Sequence, residues 1–341
     1  MMNGTQTQAQ DKLTWTTLPA LPGEGWAGMF AGVSNGTLFC MGGANFPGKR
    51  PWEGGKKKWY DNIYRLEKGK GWVLLKEKLP LPLAYGIAVN YGNQMIIVGG
   101  SSPDSYSRQV IGFSWEHQQL SQTRYPDLPV PLANMAGALT GSLLIVAGGN
   151  SSITGPPLSE MYALDLVNPA NGWFELPSCP GPQRLLPVCG VYNGKFYLFS
   201  GENTGKNAKH GSFRHILQDA YCFTPVWSDN KWSGTWQQLG PMPRGASAGA
   251  SPLPVLQDGS LLLWGGVDAV TALYETPATH PGITRSVLRY YPEKDSWKYD
   301  STMINISARV TLPVTYWENK WIYISGEIKP GTRTNTVYAV Q

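Results

Sequence analysis

The chain has 341 residues, of which 42% are hydrophobic, 12% aromatic and only 15% charged, where soluble domains usually carry about 25% charged residues. That apolar content excludes a disordered chain, the absence of any run near 18 apolar residues excludes a helical membrane span, and a fold of this length buries roughly 75% of its unfolded surface without needing disulfide or metal staples. The formal charge of +5 is mostly scattered, which argues against the continuous basic stripe of a nucleic-acid-binding face.

The first residues, MMNGTQTQAQDK, have neither a basic n-region nor an apolar h-region. Residues 1–11 read as a disordered terminus or as the tail of a longer signal sequence, and residues 12–341 as one domain. A short strand, LTWTTLPALP with Trp15 and Leu18-Pro19, comes next. A pattern then recurs: an apolar strand, a turn often holding Asn-Gly or Asp-Gly, a second apolar strand, and Gly-Gly or Ser-Gly. GVSNGTLFCMGG ends at Gly43, IAVNYGNQMIIVGG at Gly100 and AGALTGSLLIVAGG at Gly149. VCGVYNGKFYLFSG ends at Gly201, LPVLQDGSLLLWGG at Gly266 and LPVTYWENKWIYISG at Gly326. The spacings are 57, 49, 52, 65 and 60 residues, and 58 when counted across the termini back to Gly43.

Each unit continues with a third strand rich in Tyr and aliphatics, such as NIYRLE from Asn62 or MYALDL from Met161. A fourth carries Trp and often ends in Leu-Pro, as Trp72 with Leu79-Pro80 and Trp173 with Leu176-Pro177. The Trp suits a large apolar block between neighbouring units whose indole N–H still needs a partner. Four short strands per unit at this period predict an all-β, six-bladed β-propeller of kelch type. The sixth unit ends with its third strand, TVYAV (Thr336 to Val340), so the amino-terminal strand is expected to complete that blade and close the ring.

The long insertions all follow the second strand: Ala44 to Asp61, Glu202 to Asp219, and Val267 to Arg285. Insertions gathered on one face of a repeat fold often mark the binding face. Two carboxylates, Glu202 and Glu327, directly follow a Ser-Gly there, where the other units have Ala44, Ser101, Asn150 and Val267. Arg184, Arg244 and Arg309 precede innermost strands and are candidates to point at the axis. In Gly326-Glu327-Ile328-Lys329-Pro330-Gly331-Thr332-Arg333 the Pro-Gly turn is expected to return Arg333 beside Glu327. A guanidinium grips a carboxylate with two parallel bonds, and a free glutamate moves a proton. The pair therefore suits an acidic substrate.

The basic group Lys49, Arg50, Lys56, Lys57 and Lys58 around Trp52 reads as a solvated or anion-attracting loop. Cys40, Cys179, Cys189 and Cys222 show no C-x-x-C spacing, and three of them lie in apolar runs as small hydrophobes. His117, His210, His215 and His280 read as exposed loop residues. No metal set or cofactor motif is present.

The loop GEIKPGTRT resembles that of the bacterial sialic acid mutarotases, or N-acetylneuraminate epimerases. The stretches WAGMFAGVSNGTLFCMGGANFPG from Trp26 and AYGIAVNYGNQMIIVGG from Ala84 resemble two blades of the same kelch family. In that family these blades follow the glutamate–arginine loop, so the chain resembles a cyclically permuted member. The resemblance implies an isomerase that interconverts the α and β anomers of N-acetylneuraminate without metal or cofactor, Glu327 accepting a proton beside Arg333. It also implies a substrate-binding role for Arg184 and a periplasmic location, the cytoplasm being the alternative, while position in the repeat offers Glu202, Arg244 and Arg309 as further substrate-binding candidates. The chain departs from the family at Leu83, where an arginine is usual, and at Ser101, where a glutamate is usual.

Alternative readings are a mutarotase of another acidic sugar and a kelch protein-interaction module. A sialidase would need repeated Asp-box turns, and SDNKWSGTW from Ser228 is a single imperfect one, with Asn230 and Trp232 at key positions. A copper oxidase would need paired ligands that the four histidines do not supply. The expected partner is a small acidic sugar rather than nucleic acid or membrane, and the oligomeric state is left open.

Overall fold

Five of the six glycine-terminated hairpins of the sequence form the inner half of a blade in the computed structural model, which describes residues 13–207, 211–274, 276–300 and 306–341. The described residues contain no α-helix. Six antiparallel sheets form the propeller. The first blade comprises Ala27–Ser34, Thr37–Asn45, Asn62–Glu67 and Gly71–Lys78, paired in that order. The second comprises Ile87–Tyr91, Gln94–Val98, Val110–Glu116 and Gln119–Arg124, and the third Ala136–Thr140, Leu143–Ala147, Met161–Asp165 and Phe174–Leu176. The fourth is built from Val188–Tyr192, Lys195–Phe199, Ala220–Ser228 and Lys231–Gln238. Second strands such as LLIVA are buried throughout because a neighbouring blade covers each face, whereas an outer strand such as Gly71–Lys78 alternates with solvent.

The sixth blade combines Val314–Trp317, Lys320–Ile324, Val337–Val340 and Trp15–Leu18. The expected closure is observed: Trp15 pairs with Val340 and Leu18 with Val337. Trp15 also packs 5.0 Å from Trp264 and 5.3 Å from Tyr323, joining the fifth and sixth blades. Deleting residues 1–18 would bare the edge of Val337–Val340 and empty this aromatic cluster. A large fall in melting temperature with concentration-dependent light scattering is expected, and an unchanged melt would refute closure as a stabilising device.

The fifth blade departs from expectation. Leu261–Trp264, Val287–Tyr291 and Ser296–Tyr299 form three strands, but the predicted innermost strand is reduced to a single bridge, Val255 to Leu261. Pro252 and Pro254 each remove a backbone donor, so no regular ladder forms. The tryptophan reading holds in three blades: Trp72, Trp173 and Trp236 donate their indole N–H to the carbonyls of Pro19, Pro126 and Pro177. Each acceptor is the proline of the preceding blade's Leu-Pro or neighbouring Pro. All four cysteines are buried and free.

Six residues, one at the inner end of each blade, hold one another around the axis. Tyr85 N–H donates to Gly28 O, Asn134 to Tyr85, Leu186 to Asn134, Ala248 to Leu186, Thr311 to Ala248, and Gly28 to Thr311. All six have left-handed backbones, with φ between 51° and 65°. Five are not glycine, so each carries a strain of order 1 kcal/mol, offset by the bond it makes.

Candidate functional site

The residues that follow each Gly-Gly or Ser-Gly are equivalent in space as well as in sequence. Ala44, Ser101, Asn150, Glu202, Val267 and Glu327 each bridge to the residue preceding an axial one: Ala27, Ala84, Ala133, Leu185, Ser247 and Val310. They therefore encircle the axis on the face that carries the insertions, and Glu202 and Glu327 are the carboxylates among them.

Glu327–Lys329 and Thr332–Arg333 form a two-stranded hairpin about Pro330-Gly331, with Glu327 opposite Arg333. The turn thus does what the sequence suggested, and Arg333 Nη2 lies 2.7 Å from Glu327 Oε2. Gly331 has a φ of 65°, and a Cβ there would meet Pro51 at 2.8 Å and the Trp52 ring at 2.9 Å. Arg50 Nη1 donates to the Gly331 carbonyl at 2.9 Å. The first blade's insertion therefore clamps the hairpin tip.

Burial raises the Glu327 carboxyl above its ordinary value of 4.5; Arg333, the Gly331 N–H, Lys57 and Arg214 oppose the rise without cancelling it. The side chain of Arg333 is 7% exposed and that of Glu327 19%. The guanidinium carbon of Arg333 stands 4.9 Å from the Phe46 ring centre, and its Nε and Nη1 are buried without a hydrogen-bond partner. A cavity of about 260 Å³ lies alongside, lined by Glu24, Asn45, Phe46, Arg50 and Arg333 among others. Buried donors without partners are costly, so a ligand oxygen there would satisfy them.

The other arginines require a correction. Arg184 is 1% exposed and makes a bidentate pair with Asp219 at 2.8 Å, and also donates to Ser200 O. Arg309 is 1% exposed and directs Nη1 and Nη2 to Ser325 O, Thr336 O and Thr336 Oγ1, its Nε remaining buried without a hydrogen-bond partner among the described residues. Arg244 bonds Ser286 Oγ, Ser286 O and Gly245 O. In each case the arginine braces the start of its own blade's third strand and is not presented to a substrate at the axis. Burial pulls Arg244 and Arg309 down to about 10, which still leaves both charged at neutral pH. Leu83 and Leu132 occupy the matching place in the second and third blades: like Arg184 and Arg309, each offers its carbonyl to the second glycine of the blade before. Leu83 thus stands at the place from which Arg184 and Arg309 brace their own blades.

Glu202 lies in the ring but is engaged by Arg214 of its own loop and by Ser247 Oγ at 2.7 Å. His280 is buried, against the expectation of an exposed loop residue, and its Nδ1 accepts from Gly282 N–H at 3.0 Å. His210 lies outside the described residues, as do residues 1–12.

Sequence reasoning missed a polar and aromatic rim. Trp59 Nε1 donates to Ser101 Oγ at 3.1 Å, and Asn134 Nδ2 donates to Asn150 Oδ1 at 2.9 Å and to Tyr106 Oη at 3.3 Å. Lys57 Nζ lies 4.7 Å from the centre of the Trp59 ring and 4.1 Å from that of Tyr85. The basic loop was visible in the sequence, but not which of its cations turns inward.

Residues 3–121 and 125–276 match the family described as N-acetylneuraminate epimerase. The N-acetylneuraminate epimerase of Haemophilus influenzae (strain 86-028NP) is 32% identical over 231 residues, covering 62% of this chain and 57% of that protein. That of Yersinia pestis (strain Pestoides F) is 30% identical over 240 residues, covering 63% and 57%. A shorter match, 43% identical over 108 residues, joins 27% of this chain to 28% of the Salmonella arizonae protein. The chain thus spans somewhat more than half the length of the first two relatives. The solved structure of YjhT superposes with a TM-score of 0.67 at 14% identity, covering 95% of this chain and 99% of that one, a likeness of fold.

Proposed function

The chain belongs to the N-acetylneuraminate epimerase family, and from that premise we propose that it is a sialic acid mutarotase, an isomerase exchanging the α and β anomers of N-acetylneuraminate. The observation that carries the reading is the Glu327–Arg333 pair: a carboxylate of raised pKa against a buried guanidinium with unpartnered Nε and Nη1. Glu327 takes the proton of the anomeric hydroxyl, the exocyclic oxygen becomes the carbonyl, and the bond from the anomeric carbon to the ring oxygen breaks. The ring oxygen keeps that electron pair and gains a proton from an acid or water. Rotation and closure on the opposite face reverse each transfer, and Glu327 returns its proton. Arg333 orients Glu327 through Nη2 and offers its free donors to the sugar carboxylate.

The test is one-dimensional proton NMR of freshly dissolved N-acetylneuraminate, following anomer equilibration with and without protein at a pH where the spontaneous exchange is slow. Acceleration is expected; acceleration only with a different acidic ketose would move the assignment to that sugar, and none would remove it. Arg333→Lys keeps the charge but loses the planar fork. Charge-assisted hydrogen bonds contribute about 1.5–3 kcal/mol, so a fall of about 10–100-fold in kcat/KM is expected, mostly through KM. An unchanged KM would take the carboxylate away from Arg333.

A permuted blade order is supported by the resemblance of the Trp26 and Ala84 stretches to blades that follow the glutamate–arginine loop in the family, and the ring closed by both termini is compatible with it; joining the ends and reopening the chain between the second and third blades should preserve folding and activity. A periplasmic location is supported by the resemblance alone, and cell fractionation decides it.

A further inference from the structure

The charges around the axis fall mainly into neutral pairs. Arg333 is matched by Glu327, and Arg214 by Glu202. Arg50 is used on the Gly331 carbonyl and lines a cavity also lined by Glu24. Lys57 is different: among the described residues its ammonium has neither an ion-pair nor a hydrogen-bond partner, only two aromatic faces. Such faces attract a cation through their quadrupole and leave its net charge intact.

The ammonium is held where the mouth of the axis opens. Trp59 is fixed by backbone pairing to Ala44 and by its indole bond to Ser101. Tyr85 belongs to the axial circle, and its ring lies over Gly28, where a Cβ would come within 2.7 Å of it. Gly28 in turn donates to Thr311, the neighbour of the Val310 that bridges Glu327. Lys57 and Glu327 therefore flank the first blade's inner end from either side. Consistent with this, the charge of Lys57 lowers the pKa of Glu327.

We propose that Lys57 is the residue by which the site distinguishes an acidic sugar from a neutral one, its unpaired ammonium supplying the net positive charge for the same carboxylate that accepts directional hydrogen bonds from Arg333. This deepens the mutarotase reading and rests on it for the choice of sugar. Recognition here is a matter of net charge, because the Glu327–Arg333 pair by itself presents none.

The test compares N-acetylneuraminate with its methyl ester, which differs in the carboxyl charge, for the wild type, Lys57→Met and Lys57→Arg. Calorimetry gives Kd and NMR gives the exchange rate. Wild type is expected to prefer the acid by about 10–100-fold, the range of a charge-assisted bond. Lys57→Met should lose most of that preference through weaker binding of the acid with the ester unchanged, and Lys57→Arg should retain most of it. Matching thermal melts exclude unfolding as the cause. Equal affinity for acid and ester in the wild type, an undiminished preference in Lys57→Met, or equal losses for both ligands would overturn the proposal. Charge-selective binding without catalysed exchange would instead overturn the mutarotase reading and leave the role of Lys57 standing.

Discussion

Glu327→Gln is expected to lower the catalysed exchange rate by about 10²–10⁴-fold, the usual worth of a positioned acid–base group. The amide keeps the shape of the side chain and an acceptor oxygen for Arg333 and the Gly331 N–H, so loss of rate without loss of substrate binding isolates the proton transfer. Anomer equilibration by NMR measures the rate, and a variant as fast as wild type would clear Glu327 of the role. The pH profile provides a second check. The base must be ionised, and burial has raised its pKa above 4.5, so activity should fall as pH drops through a value above that of an ordinary glutamate. The stability linkage has the opposite sign to that of a salt-bridged carboxylate. The contribution of this group is fully present below about 4.5 and is lost as pH rises through the folded-state value.

Arg184→Ala is expected to destabilise the protein by about 3–5 kcal/mol, the range for breaking a buried ion pair from one side. It leaves Asp219 without its bidentate partner and Ser200 O without its donor. Leu83 and Leu132 show that an apolar side chain fits this place in other blades, both being 1% exposed. The double variant Arg184→Leu with Asp219→Leu should therefore be much milder, since replacing both partners of a buried pair is often near neutral. Denaturant midpoints for the two variants make the comparison. A shift below about 1 kcal/mol for Arg184→Ala would mean that water replaces the guanidinium, which nearly complete burial argues against.

The architecture was readable because the constraint repeats. Gly-Gly spacing and the fourth-strand tryptophans recur at blade intervals, and the single unfinished unit at the carboxyl end matched the unpaired strand at Leu13 to Leu18. The Glu327–Arg333 pair was readable because a turn of known chemistry lies between two residues only six apart. Arg184, Arg244 and Arg309 were misread for the opposite reason. Their partners Asp219, Ser286 and Thr336 lie 35, 42 and 27 residues away, and position before an inner strand does not say whether a side chain runs toward the axis or back along its blade. The fifth blade's inner strand had the apolar pattern of its equivalents, but two prolines outweighed it. Lys57 was hidden within a run of cations, since what separates it from Lys56 and Lys58 is the approach of Tyr85 from the next blade.

The circle of backbone bonds at the axis has a consequence for how a ligand is read there. An α-helix presents four unpaired N–H groups at one end and four unpaired carbonyls at the other, and so carries poles that attract ions. Six residues joined N–H to carbonyl in one rotational sense have no first or last member, so no N–H of the circle is left unpaired. The circle therefore has no free N–H of its own to offer a ligand. Discrimination is left to the side chains standing around it, which can be exchanged blade by blade without disturbing the circle itself.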